Sequence, residues 1–254
     1  MPHPIRLVAF DLDDTLAESK TAITAPMARA LLALLRRHPV LIISGGNLAQ
    51  FESQLLRHLP DDPALDRLHL MPTCGTRYLR RVEESWQQVY AHELPAPVRA
   101  RAAEALEGAA RSLRLWESDS VVHGPRIEDR GSQVTFSALG QLAPPDVKKE
   151  WDPTGAKREA LRSAVQDLLP ELEVRAGGST SIDVTAQGID KAYGVSRLMD
   201  LLELAPEEVL FVGDRLEPGG NDFPVVRLGV RTRPVRDQHE THEVIEELLG
   251  SSPA

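Results

Sequence analysis

With 254 residues the chain can form one large domain or a domain plus a smaller insert, and its 42% apolar content is that of a globular protein. A net charge of −9 argues against a dedicated nucleic-acid binder, which would carry a basic stripe, but leaves anionic substrates open because they feel local charge. The single cysteine, Cys74, excludes an internal disulfide and a cysteine-rich metal site, and with no secretory leader and no long apolar run the expectation is a cytoplasmic protein without membrane contact.

In chain order, Leu7–Phe10 is a short apolar run that ends on the charged residue Asp11, as a buried parallel strand with functional residues at its carboxyl end would. Pro26 opens a helix to His38, Val40–Ile43 is a second strand, and Asn47 caps a helix to His58 after the turn Ser44-Gly45-Gly46. Leu68–Met71 is a third strand, so strand–helix alternation predicts an α/β fold with a parallel sheet. The rhythm then changes. A helix over Ala96–Leu113 is followed by β-type pieces at Val121–Val122, Arg126–Glu128 and Gln133–Ser137, a helix from Thr154 to Leu169, and strands at Val174–Ala176 and Ser181–Val184. From Lys191 the first rhythm returns with a helix to Leu202 and the strand Val209–Val212, and the tail after Leu249 reads as loose. The boundaries expected are a core over 1–80 and 188–254 and an α+β cap over 81–187.

Four stretches in this frame carry chemistry, each on a turn after a strand or at a helix start. In Asp11-Leu12-Asp13-Asp14-Thr15, Asp11 can serve as a nucleophile forming an aspartyl-phosphate, and Asp13 as the acid and base beside it. Extended backbone turns residues 11 and 13 to the same side. Ser44 and Gly45 offer a hydroxyl and exposed N–H groups for phosphoryl oxygens. Lys191 can neutralise the phosphoryl group. After the last apolar strand, Asp214 and Asp222 supply hard oxygen ligands of the kind Mg²⁺ takes. Phosphoryl transfer is mostly positioning and charge neutralisation, and these are its parts.

The same stretches resemble the four motifs of the haloacid dehalogenase (HAD) superfamily, and the long insert before the third resembles its class IIB branch, with a Rossmann-like core and an inserted α+β cap. GGSTSIDVTAQGIDKAYG and VGDRLEPGGND are similar to the corresponding stretches of the eukaryotic-type phosphomannomutases. That resemblance implies Asp11 as nucleophile, Asp13 as acid/base, Lys191 as the motif lysine, and Mg²⁺ held by Asp11, the carbonyl of Asp13 and Asp214, with Asp222 in the same loop. In the cap it implies Arg130 and Lys148 (or Lys149) for a distal phosphate, and Ser181 and Asp183 for the sugar. It also implies a small phosphorylated sugar as substrate and a homodimer through the cap. Asp14 stands where the family usually has glycine, and Gln141 falls on a family arginine and cannot supply its charge.

The expected function is therefore phosphoryl transfer on hexose phosphates in the phosphomannomutase manner; the alternative is a sugar-phosphate phosphatase on the same fold, with a non-catalytic binding protein as a third reading. His239 and His242 read as a solvated face, Cys74 as packing, the three tryptophans as packing rather than a base-stacking platform, and Arg36–Arg37 and Arg80–Arg81 as solvated helix faces.

Overall fold

The computed structural model describes residues 4–250. The chain begins with β1 (Leu7–Asp11), α1 (Ala25–Leu35), β2 (Val40–Ile43), α2 (Leu48–Gln54), β3 (Leu68–Met71), and the hairpin β4 (Arg77–Val82) and β5 (Ser85–Ala91). It continues through α3 (Ala96–Ser112), β6 (Ile127–Asp129), β7 (Gln133–Ser137), α4 (Pro145–Trp151), α5 (Ala156–Leu168), β8 (Leu172–Ala176) and β9 (Ser181–Ala186). It ends with α6 (Lys191–Leu202), β10 (Val209–Gly213), α7 (Phe223–Val226), β11 (Arg231–Pro234) and α8 (Gln238–Gly250). The segment expected to be loose after Leu249 is helical at Gly250 and otherwise lies outside the described residues.

Two compact units result: residues 1–91 with 190–254, and residues 92–189. The first is a seven-stranded sheet in the order β11-β10-β1-β2-β3-β4-β5, parallel from β11 to β3 and antiparallel at β4 and β5. β1 lies between β10 and β2, so the chain runs outward from it in both directions, the arrangement that opens a crevice at the carboxyl ends of the strands. β1, β2 and β3 are buried along their whole length, which explains their continuous apolar runs. Side chains at helix starts set the register: Thr24 accepts the Met27 N–H of α1, Asn47 the Gln50 N–H of α2, and Asp190 the Tyr193 N–H of α6. The cap at Asp190 makes Lys191 the first residue of α6.

The second unit is a four-stranded antiparallel sheet, β6-β7-β9-β8, with α3 and α5 packed on one face through Leu106, Ala110, Leu161 and Val165. It starts at His92, not at residue 81, because β4 pairs with β3 and carries β5 into the core sheet. Val121 lies in a 3₁₀ turn over Asp119–Val121 rather than in a β-type piece, with the Ser118 hydroxyl capping it. The long helix starts at Ala156 after Gly155, whose φ is 76°, and a separate helix, α4, precedes it. Arg80 and Arg81 lie on β4, not on a helix, and Arg81 is buried in an ion pair with Asp61.

Candidate active site

Asp11 closes β1 and is buried, and the Lys191 ammonium lies 2.6 Å from its Oδ1. The same ammonium lies 2.6 Å from Oδ1 of Asp222, a fully buried carboxylate whose Oδ2 accepts the Arg215 N–H at 3.1 Å. Burial alone would lower Lys191, but the carboxylates of Asp11 and Asp222 outweigh it and hold the ammonium above its ordinary value. Gly213 leaves the space Asp222 occupies: a Cβ there would come within 2.5 Å of Oδ2.

Asp214 follows β10 directly. Asp11, Asp214 and Asp222 each bring one carboxylate oxygen to within 4.8 Å of the others. Burial, reinforced by Asp222, pushes the Asp214 carboxyl up to about 6; burial likewise raises Asp11, with Lys191 pulling against it. Three carboxylates sharing one ammonium are short of positive charge, and hard oxygens so grouped suit a divalent cation. The donor set fits such an ion, with Asp11 and Asp214 the freer ligands because Asp222 has both oxygens engaged.

Asp13 lies two residues beyond Asp11, and its carboxylate accepts the Lys20 N–H at 2.7 Å, the Gln50 amide at 2.8 Å and the Gln54 amide at 3.3 Å. Asp14 has φ 58°, a left-handed conformation that glycine adopts freely and aspartate tolerates, which accounts for both residues at this position. Ser44 is buried at the end of β2, its Oγ accepting the Gly46 N–H at 3.0 Å, and Gly45 lies in the turn between them. Ser44, Asp11 and Asp214 thus stand at the ends of the adjacent strands β2, β1 and β10.

In the second unit the sheet face opposite α3 and α5 is polar. Glu128, Thr135, Asp183 and Arg175 are successive cross-strand neighbours and form one row across all four strands. The Thr135 hydroxyl donates to Asp183 Oδ1 at 2.7 Å. Arg130, just past β6, pairs with Glu128 at 2.7 Å. Lys148 is buried on α4 and donates to the Gln141 carbonyl at 3.0 Å, whereas Lys149 is exposed, so Lys148 is the inward lysine of the two. Ser181 opens β9 opposite Ser137, one row away from Asp183.

A family model described as haloacid dehalogenase-like hydrolase matches residues 8–225. The chain belongs to this family. It is similar to the phosphomannomutase of Encephalitozoon cuniculi, with 26% identity over 94% of this chain and 92% of that protein. It is also similar to the phosphomannomutase of Saccharomyces cerevisiae, with 23% identity over 97% and 95%. Among solved structures, IMP-bound Plasmodium falciparum IMP-nucleotidase matches with TM-score 0.73 and 15% identity over 98% of this chain and 69% of that one. A haloacid dehalogenase-like hydrolase from Bacteroides thetaiotaomicron matches with TM-score 0.63 and 18% identity over 96% and 99%. These structures share the fold. The chain is an enzyme of the HAD phosphotransferase or phosphatase type, and its core unit holds Lys191 in contact with both Asp11 and Asp222.

The sequence does not single out Gln50 and Gln54 beside Asp13 in the core unit, nor Arg175 in the polar row of the second unit. Glutamines on a helix read as solvated; only their i, i+4 spacing on α2 hints at a shared target. Cys74, set aside as packing, is half-buried with φ 55°, and His239 is exposed on α8. Trp151 is buried and donates to Glu117 at 2.7 Å. Among the described residues no helix is long and apolar enough to cross a membrane.

Proposed function

We propose that this HAD enzyme moves the phosphoryl group of a hexose phosphate onto Asp11 and from there to a sugar hydroxyl, in the phosphomannomutase manner. The observation that carries the reading is the Lys191 ammonium at 2.6 Å from both Asp11 and Asp222, with Asp214 in the same cluster. Lys191 holds the Asp11 carboxylate in one orientation for attack and offsets the charge of the arriving phosphoryl group. Asp13 gives its proton to the leaving oxygen and later takes one from the attacking hydroxyl. Ser44 and the backbone N–H of Gly45 receive phosphoryl oxygens. Asp11, Asp214 and the carbonyl of Asp13 would hold Mg²⁺, which would supply charge neutralisation at the phosphoryl group. The insert, through Arg130, Lys148, Ser181 and Asp183, reads the rest of the substrate. The full-length similarity to phosphomannomutases supports hexose phosphates as the substrate class.

A second reading, a sugar-phosphate phosphatase in which water accepts the phosphoryl group, is favoured by one feature of the insert. A mutase must bind a second phosphate away from Asp11, yet Gln141 is neutral and Arg130 is engaged by Glu128. Losing one charge-assisted contact costs about 1.5–3 kcal/mol, which weakens a distal phosphate site without abolishing it. The test is mannose 1-phosphate with catalytic hexose 1,6-bisphosphate. The mutase reading expects 6-phosphate to form faster than free phosphate; phosphate release dominating at saturating bisphosphate would establish the phosphatase instead.

A further inference from the structure

Asp13 must direct one oxygen at the bond that breaks. Its Oδ1 accepts both the Lys20 N–H and the Gln54 amide, at 2.7 and 3.3 Å, while Oδ2 accepts the Gln50 amide at 2.8 Å. A carboxyl oxygen has two lone-pair sites. Those of Oδ1 are filled, and Oδ2 keeps one for a proton, in a direction fixed by its bond to Gln50.

Gln50 is itself constrained. A carboxylate only accepts, so the Gln50 NH₂ must face Asp13, and Oε1 then lies over the bare α-carbon of Gly46. A Cβ on Gly46 would come within 2.2 Å of that oxygen and 2.6 Å of Cδ. Gly46 does not have positive φ, so it is glycine for space rather than for the turn. It is anchored on both sides: its N–H donates to Ser44 Oγ at 3.0 Å, and its carbonyl accepts the Thr73 N–H at 2.9 Å.

We propose that Gln50, seated on Gly46, is a positioning residue that aims Asp13 Oδ2 at the leaving oxygen. The contact Ser44–Gly46–Gln50–Asp13 would then tie phosphate binding to proton delivery. This rests on the reading of Asp13 as the acid: as the ester P–O bond breaks and phosphorus bonds to Asp11, the proton on Oδ2 passes to the departing alkoxide oxygen. An alkyl phosphate needs that proton, whereas p-nitrophenolate departs without it, so misaiming Asp13 penalises the first far more than the second. A merely structural defect lowers both alike.

The experiment compares kcat/KM for glucose 6-phosphate and p-nitrophenyl phosphate in Gln50→Leu, Gly46→Ala, the double variant and Asp13→Asn, each checked by thermal melting. This parameter covers the steps through phosphorylation of Asp11. Gln50→Leu and Gly46→Ala are each expected to lose about 10–100-fold on the sugar phosphate and no more than about threefold on p-nitrophenyl phosphate. The double variant should lose no more than either single one, because both remove the same contact. Gly46→Ala displaces only the end of a flexible side chain and stands in should Gln50→Leu fail to fold. Equal losses on both substrates, beside a selective loss in Asp13→Asn, would overturn the role of Gln50 alone. Additive losses in the double variant would overturn the link through Gly46. An unselective Asp13→Asn would overturn the acid assignment itself.

Discussion

Lys191 of the core unit and Lys148 of the insert are both buried, yet they are held differently. Lys191 lies 2.6 Å from two carboxylates, whereas Lys148 donates to a backbone carbonyl at 3.0 Å. An ammonium locked between two buried carboxylates cannot be exchanged without stranding charge. A carbonyl, by contrast, carries no formal charge to strand when the ammonium it accepts from is replaced. The departures from the phosphomannomutase pattern follow that division. The core keeps Asp11, Asp13, Lys191 and Asp214, and its one change, Asp14, is a backbone matter with φ 58°. The insert has Gln141 and Lys148 where arginines are expected.

The comparison breaks most visibly at Asp11. Asp11→Asn should lower turnover of p-nitrophenyl phosphate by at least about 10⁴-fold with the melting temperature little changed. Retained turnover would place the nucleophile elsewhere. Lys191→Met should leave Asp11, Asp214 and Asp222 without their ammonium and cost about 3–5 kcal/mol of stability in the chelated protein, measured by urea unfolding. Lys148→Met, the matched change in the insert, should cost clearly less, and equal costs would dissolve the contrast. Chelation by itself should silence turnover, and Mg²⁺ should restore it; full activity after exhaustive chelation would contradict the metal assignment.

A smaller effect shows that the core's buried polar groups matter away from the site as well. Burial lowers His69 to about 4, and its Nδ1 lies 2.8 Å from the Tyr78 hydroxyl. The folded value is below the unfolded one of about 6.5, so the unfolded chain takes up the proton first. Stability from this group is complete above pH 6.5 and is lost as pH falls toward 4. Between pH 7 and pH 5 the loss should be about 2 kcal/mol, and His69→Phe should remove that part of the slope in urea titrations. Smallest is the effect in the insert: Arg130→Ala should raise KM about tenfold for a hexose phosphate and leave p-nitrophenyl phosphate nearly unaffected. Equal changes for both would mean that Arg130 does not read the sugar.

Parts of this architecture are visible in sequence and parts are not, for physical reasons. β2 and β3 are buried on both faces, so their apolar runs mark Val40–Ile43 and Leu68–Met71 without ambiguity. The hairpin β4–β5 goes unnoticed because its outer strand is mostly exposed and polar. Its two-residue turn is Glu83-Glu84, with φ 48° and 62°, in place of the glycine or asparagine that signals such a turn. The insert's boundary is misplaced for the same reason. In the site, Asp11, Asp13, Lys191 and Asp214 are recognisable because chemistry dictates their type and order. Asp222 is visible as an acid, but its bond to Lys191 emerges only when Gly213 makes room for it. Gln50 and Arg175 carry no such signal: their partners, Asp13 and Asp183, are distant or cross-strand neighbours that only the fold brings near.

The central claim is that Asp11 carries the phosphoryl group in turnover, and trapping it tests that claim most directly. The enzyme, mixed with a hexose phosphate and Mg²⁺, is quenched in acid, reduced with borohydride and digested for mass spectrometry. An acyl phosphate at Asp11 should appear as homoserine at position 11, at a level that rises with substrate and vanishes in Asp11→Asn. Reduction at another carboxylate, or turnover with no trapped acyl phosphate at any residue, would contradict the account.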